Sequence, residues 1–171
     1  MDKLALIIIA LLACVQPSRA ESPSLTPGAI ECGLSGALTV VEGNTRGSIA
    51  LDGSWFWKAP GGLAITTAEV GYSHVSDLDL MDIGVQAGWT RRAGSTSLFP
   101  VVALAGGVRQ EWIGSFADAR YPVGFNAGAR ALVSQRADIR IEYRLRRVLN
   151  DPVADFTEHE IRVGLALLFR N

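Results

Sequence analysis

The sequence predicts an all-β fold, an eight-stranded antiparallel up-and-down transmembrane β-barrel, and three observations carry that reading. Apolar residues recur at every second position in one segment after another beyond Gly28, the period of a strand and not of a helix. Turn-forming connections separate the segments. The second face of the segments holds Gly, Ala, Ser, Asn and charges, which suits a crowded polar lumen and leaves the apolar set facing outward, where only lipid can solvate it.

Composition sets the frame for these segments. The chain has 171 residues, one domain's worth, with Lys+Arg 16 against Asp+Glu 17 and a net charge of -1, a balance that gives no footprint for nucleic acid. A hydrophobic content of 49% excludes a disordered chain. The 18 Gly and 7 Pro, with Val, Ile, Thr, Trp and Tyr in short runs, favour short strands over long helices.

The chain opens on Met1-Asp2-Lys3, an apolar run from Leu4 to Val15 and the small-residue site Ser18-Arg19-Ala20, which predicts a leader over 1–20 cleaved after Ala20. The run of roughly 12 residues is shorter than the about 20 that a spanning helix needs. Leu11-Leu12-Ala13-Cys14 supports a rival reading in which Cys14 becomes a lipidated first residue. With cleavage after Ala20, Cys32 is the one thiol left, so no internal disulfide forms, and Cys32 reads as a small apolar strand residue. Residues 21–29, with Pro23 and Pro27, read as a periplasmic lead-in, and 30–171 as the barrel.

The strands follow in order. Ile30, Cys32, Leu34 and Leu38 oppose Glu31, Gly33, Ser35 and Thr39; Ile49, Leu51, Trp55 and Trp57 oppose Ala50, Asp52, Ser54 and Phe56. Ala68, Val70 and Tyr72 oppose Glu69, Gly71 and Ser73, and Ile83, Val85, Ala87 and Trp89 oppose Asp82, Gly84, Gln86 and Gly88. Leu98, Val102, Leu104 and Val108 oppose Ala103, Ala105, Gly107, Arg109 and Glu111, and Val123, Phe125, Ala127 and Ala129 oppose Gly124, Asn126, Gly128 and Arg130. In the last two, Ile139, Ile141, Tyr143 and Leu145 alternate with Arg140, Glu142, Arg144 and Arg146, and Ile161, Val163, Leu165, Leu167 and Phe169 with Glu160, Arg162, Gly164, Ala166 and Leu168.

Lys58 to Gly62, Arg92 to Thr96 and Ser134 to Arg136 read as tight turns on one side; Val41 to Gly47, Ser76 to Asp79, Ile113 to Arg120 and Leu149 to Thr157 read as loops on the other. An even strand number lets the first strand pair with the last and removes the edges. Trp55, Trp57, Trp89 and Phe169 fall beside the turns, and Tyr72, Trp112 and Tyr121 beside the loops, predicting two aromatic girdles at the membrane interfaces.

The inward positions predict a charge network. The first four strands supply Glu31, Asp52, Glu69 and Asp82 with no inward Arg or Lys; the last four supply Arg109, Arg130, Arg140, Arg144, Arg146 and Arg162 with Glu111, Glu142, Glu158 and Glu160. Carboxylates and guanidiniums on facing walls of a narrow cylinder can pair bidentately and plug it.

These residues resemble the small outer-membrane β-barrel family, OmpA-transmembrane-like and opacity-like proteins, from Ile30 to Phe169. The last strand is similar to the assembly signal of such proteins through Arg162, Gly164, Leu167 and Phe169, though the chain ends in Arg170-Asn171 and not on the aromatic. The resemblance implies a Gram-negative outer membrane, contact with its lipid and lipopolysaccharide, and the barrel-assembly machinery as a partner during biogenesis. Members of the family include tethers, adhesins and enzymes, so the fold does not supply a role.

Some barrels of this length resemble lipid A deacylases, with a His-x-Ser pair and a carboxylate on the lipid-facing outside. His74-Val75-Ser76 has that spacing, with Asp77 and Asp79 following, but the resemblance places the motif in the next-to-last strand, where this chain has Tyr143-Arg144-Leu145. His74 therefore reads as a polar residue at the water interface, and no catalytic residue is assigned. His159 lies between Glu158 and Glu160 and reads as a loop-end histidine; no metal or cofactor is expected. The expectation is a structural or surface-interaction barrel, with a lipid-modifying enzyme or a narrow pore as alternatives.

Overall fold

The computed structural model describes residues 24–150 and 155–169. The expected leader 1–20, including Cys14 and the Ala20 site, lies outside the described residues, as do Asp151 and the terminal Arg170-Asn171. Eight strands run in order, β1 (Ile30–Val41), β2 (Asn44–Ala59), β3 (Gly62–Val75), β4 (Leu78–Thr90), β5 (Leu98–Ile113), β6 (Phe116–Leu132), β7 (Ala137–Leu149) and β8 (Phe156–Phe169). Each pairs antiparallel with the next, and β1 pairs with β8, so the sheet is a closed barrel with the expected up-and-down topology. Every ladder finds its partner, which leaves no edge to be covered.

Burial alternates along the strands, most cleanly in β8, where Glu158, Glu160, Arg162 and Ala166 are buried while Ile161, Val163, Leu165, Leu167 and Phe169 are each more than half exposed. The outward row through Leu34, Leu51, Val70, Ile83 and Val108 runs along successive ladder partners with no charge in it. A belt of Leu at 58–72% exposure, as at Leu34, Leu51, Leu104 and Leu165, is inverted relative to a water-soluble barrel and is the exterior of a transmembrane one.

The connections differ from the sequence reading. The expected loops at Val41 to Gly47, Ser76 to Asp79 and Ile113 to Arg120 shrink to the two-residue turns Glu42-Gly43, Ser76-Asp77 and Gly114-Ser115. Left-handed backbone makes them possible: Glu42 and Gly43 have φ of 48° and 85°, Ser76 54° and Gly114 60°. The residues read as loops are strand. Past the hydrocarbon both faces of a strand are wet, so the alternation fades while the backbone ladder continues. The expected loop from Leu149 to Thr157 keeps its place as the β7–β8 connection, residues 150–155, and at the end carrying the lead-in residues 91–97 and 133–136 join their strands.

Inside that end sits an apolar cluster that the sequence reading did not identify. Phe56, Leu63, Ile65, Phe99, Val101, Leu132 and Leu168 are buried together, with Leu25 and Ala29 of the lead-in closing over them. The lead-in is held by hydrogen bonds from Gly28 N to Phe56 O and from Phe56 N to Ala29 O.

Candidate functional site: the lumen network and the barrel rims

Strand parity carries the lumen. Once one residue of a strand points inward, every second residue does, and the ladder register brings charges from non-neighbouring strands face to face across the axis. Arg109, on β5, is fully buried; its Nη1 and Nη2 donate to Glu158 Oε1 and Oε2 at 2.6 and 2.9 Å, and its Nε and Nη2 to Asp82 Oδ1 and Oδ2 at 2.8 and 3.3 Å. Arg140, on β7, grips Asp52 with Nη1 at 2.6 Å and Nη2 at 2.8 Å, and its Nη1 also donates to Glu31 at 3.0 Å.

At mid-lumen Glu69 accepts from Arg144 at 2.7 Å, Arg162 at 3.1 Å and Gln86 at 2.8 Å, and Gln86 in turn accepts from Asn126 at 2.7 Å. Arg144 also reaches Glu142 at 3.0 Å, Arg162 reaches Glu160 at 2.9 Å, and Arg146 bridges Glu158 and Glu160 at 3.1 and 2.7 Å. Thr39 donates to Glu160 at 3.2 Å. Arg130 lies 3.4 Å from Glu31 through Nε, and its guanidinium stands over the Phe56 ring. Glu111 is bonded to Arg120 at 2.9 Å near the mouth, outside the dense part of the network.

The structure thus places each of the charged residues named from sequence on the inner face, but the segregation is less clean than the sequence reading has it. Arg46 points inward from β2 and donates to Glu158 at 3.1 Å, so the first four strands do carry an inward cation. It was missed because it lies in the stretch read as loop. Asp138, buried on β7, is a second omission: both its oxygens lack a hydrogen-bond donor, and its nearest cation is Arg140 Nε at 3.9 Å. Inward parity from Arg140 was the available signal. The spaces left among these side chains are small, about 10 Å³ beside Thr67, Arg140 and Gly164 and about 20 Å³ beside Asp82 and Pro122. Each is near the room one water needs.

The aromatics occupy two levels. Trp55 pairs with Ile30, which pairs with Phe169, and Trp57 pairs with Ala64, which pairs with Trp89, so these four lie toward the lead-in end. The Trp55 and Trp57 rings stack at 5.6 Å. Tyr72, Trp112 and Tyr121 are exposed toward the other end. Of the residues compared with an assembly signal, Arg162 and Gly164 face inward, while Leu167 and Phe169 face outward beside Cys32 and Ile30 of β1. Cys32 is a free, exposed thiol on that outer face.

Both histidines point outward. His74 Nδ1 lies 2.9 Å from Asp79 Oδ1, which also accepts from the Tyr72 hydroxyl at 2.6 Å, and His159 Nδ1 lies 2.6 Å from the Tyr143 hydroxyl. Glu158 and Glu160 face the lumen, so strand alternation turns them away from His159. No cluster of metal-ligating side chains occurs among the described residues.

No family model matches the chain, and no curated protein matches it. Solved structures do. Neisserial surface protein A aligns at a TM-score of 0.59 and 11% identity over 81% of this chain and 95% of that one. The outer membrane enzyme PagL aligns at 0.55 and 13% over 77% and 97%, and Ail, the attachment invasion locus protein of Yersinia pestis, at 0.52 and 14% over 84% and 100%. At these identities the likeness is one of fold, a small outer-membrane barrel.

Proposed function

We propose that the chain is an integral outer-membrane protein of the OmpA-transmembrane-like and opacity-like kind, with a structural or surface-interaction role and a lumen plugged by its own side chains. One observation carries the reading: the barrel is apolar outside and ion-paired inside, so it is built to sit in lipid and not to conduct through its centre. Outer-membrane lipid and lipopolysaccharide are its surroundings in this reading, and the barrel-assembly machinery its partner during biogenesis. Three of the four connections at the end away from the lead-in are two-residue turns, so contact with a partner falls on those turns, the polar strand ends and the β7–β8 connection, residues 150–155.

The test is fractionation with gel migration. The protein is expected in the outer membrane, migrating faster in detergent gels unheated than boiled, because a closed hydrogen-bonded barrel resists detergent. Recovery in the soluble periplasm overturns the reading. Planar bilayers address the plug: steady large conductance from the unmutated protein would show an open channel.

A lipid-modifying enzyme is the second reading, and the outward pairing of His74 with Asp79 favours it, since a carboxylate that orients an imidazole is a common part of hydrolytic sites. Release of acyl chains from lipopolysaccharide, read by mass spectrometry and lost in His74→Ala, would replace the structural reading with this one.

A further inference from the structure

Four cations stand at the lead-in end of the barrel outside the lumen, Lys58, Arg91, Arg92 and Arg136, and no exposed Asp or Glu accompanies them among the described residues. Their distribution is uneven. Lys58, Arg91 and Arg92 belong to the β2–β4 sector, which also holds three of the chain's 4 Trp residues.

That sector is constructed around Trp89. Its indole crosses Gly62 so closely that a Cβ there would lie 2.9 Å from ring atoms, and the Arg91 guanidinium sits 6.0 Å from the ring centroid. The connection carrying Arg91 is fixed in shape: Arg92 Nε donates to Thr96 O at 2.6 Å, and Thr96 Oγ1 to Ala93 O at 2.7 Å. Beside it opens a groove of about 500 Å³ lined by Leu25, Gly61, Leu63, Arg91, Arg92 and Phe99. Among the described residues no carboxylate pairs with Arg91. Its charge is therefore held exposed at the level of the tryptophans, where the headgroups of a bilayer lie.

We propose that this sector is a headgroup site for an anionic phospholipid. The phosphate meets Arg91 above Trp89, the rest of the headgroup lies over the rim toward Arg92, and the acyl chains run down the apolar exterior past Trp57 and Val85. Charge complementarity selects the occupant: an exposed guanidinium, further cations nearby and no exposed acid among the described residues favour a headgroup with net negative charge over a zwitterionic one. The site rests on the reading that the barrel is embedded in lipid.

The experiment uses the full chain refolded into neutral phosphatidylcholine vesicles containing a minority of bromine-labelled lipid, either phosphatidylglycerol or phosphatidylcholine, with tryptophan quenching as the signal. A Trp112→Phe background leaves the three tryptophans of this sector as reporters. The expected result is stronger quenching by the labelled phosphatidylglycerol, a preference that falls roughly fivefold in Arg91→Gln, the worth of about one cation beside a charged surface. Arg91→Lys and the distant Arg136→Gln are expected to keep it. Equal quenching by the two lipids, or an undiminished preference in Arg91→Gln, overturns the site while leaving the membrane reading intact. Absence of heat-modifiable, inserted protein in either vesicle overturns the membrane reading and the site with it.

Discussion

Removing the Arg140 guanidinium should unfold the barrel far more readily than its single position suggests. Among the described residues Arg140 is the only cation paired with Asp52, a carboxylate whose side chain is 4% exposed, whereas Glu31 keeps Arg130 at 3.4 Å. Arg140→Met therefore strands Asp52 fully and Glu31 only in part, and takes from Asp138 the cation 3.9 Å away. Breaking a buried pair from one side costs about 3–5 kcal/mol. The middle of that range applies, because Asp52 loses its partner while Glu31 retains one; about 4 kcal/mol is close to a thousandfold in the folded-to-unfolded ratio. Urea titration of the protein in lipid vesicles, followed by tryptophan fluorescence and by the heat-modifiable band, reads this as a large drop in midpoint. The double variant Arg140→Met with Asp52→Asn should recover to within about 1 kcal/mol of the unmutated protein, since it removes the stranded charge together with its partner. A single variant within about 1 kcal/mol of the parent, or a double variant as unstable as the single, would refute the idea that the lumen charges are dry and mutually dependent.

Other expectations follow from the same geometry. Gly33→Ala should behave much like Arg140→Met in the urea titration, because a Cβ at Gly33 would occupy the space of the Arg140 guanidinium and lie 3.0 Å from Asp52, while Gly36→Ala, with nothing nearer than 3.9 Å, should be close to neutral. Asp138→Asn should leave stability unchanged or raise it by up to about 1 kcal/mol, since Asp138 accepts no hydrogen bond from a donor, whereas Glu31→Gln should lower it; a clear loss in Asp138→Asn would count against this picture. On the exterior, Leu51→Arg should cost about 2–4 kcal/mol when refolding into vesicles is measured, and Thr45→Arg, near the strand end, at most about 1 kcal/mol. Equal costs at the two positions would mean that lipid does not cover Leu51.

The sequence made the faces legible but not the ends. Inward and outward positions from Arg140 to Arg146 could be read directly, because two-residue periodicity survives any error in strand length. The strand limits could not, since Asn44-Thr45-Arg46 is polar at every position and Phe116 to Arg120 sets only alanine against its charges, too little contrast to mark the backbone pairing. That single misreading explains two errors together: Arg46 was lost from the lumen, and the turns were taken for loops. The apolar cluster under the lead-in escaped for a different reason. Phe99 and Val101 are inward residues beside outward Leu98 and Val102, an unbroken apolar run in which parity gives no contrast. The pairings themselves, such as Arg144 with Glu69, depend on register between strands that are far apart in sequence, and no local pattern encodes that.

The separation of those partners bears on how the barrel assembles. Arg46 and Glu158 stand 112 residues apart, Arg140 and Glu31 109, and Arg162 and Glu69 93. Hairpins can form early from neighbouring strands, but none of them makes these three pairs. The β7–β8 hairpin already pairs Arg144 with Glu142, Arg146 with Glu158 and Glu160, and Arg162 with Glu160, but until β1 meets β8 the early-strand carboxylates Glu31, Asp52 and Glu69 are without their late-strand guanidiniums, and an open half-barrel cannot dehydrate them cheaply. Closure of so many long-range contacts is slow on entropic grounds. The pairs that cross the axis therefore form only as the seam shuts, and the water around their partners leaves with that closure.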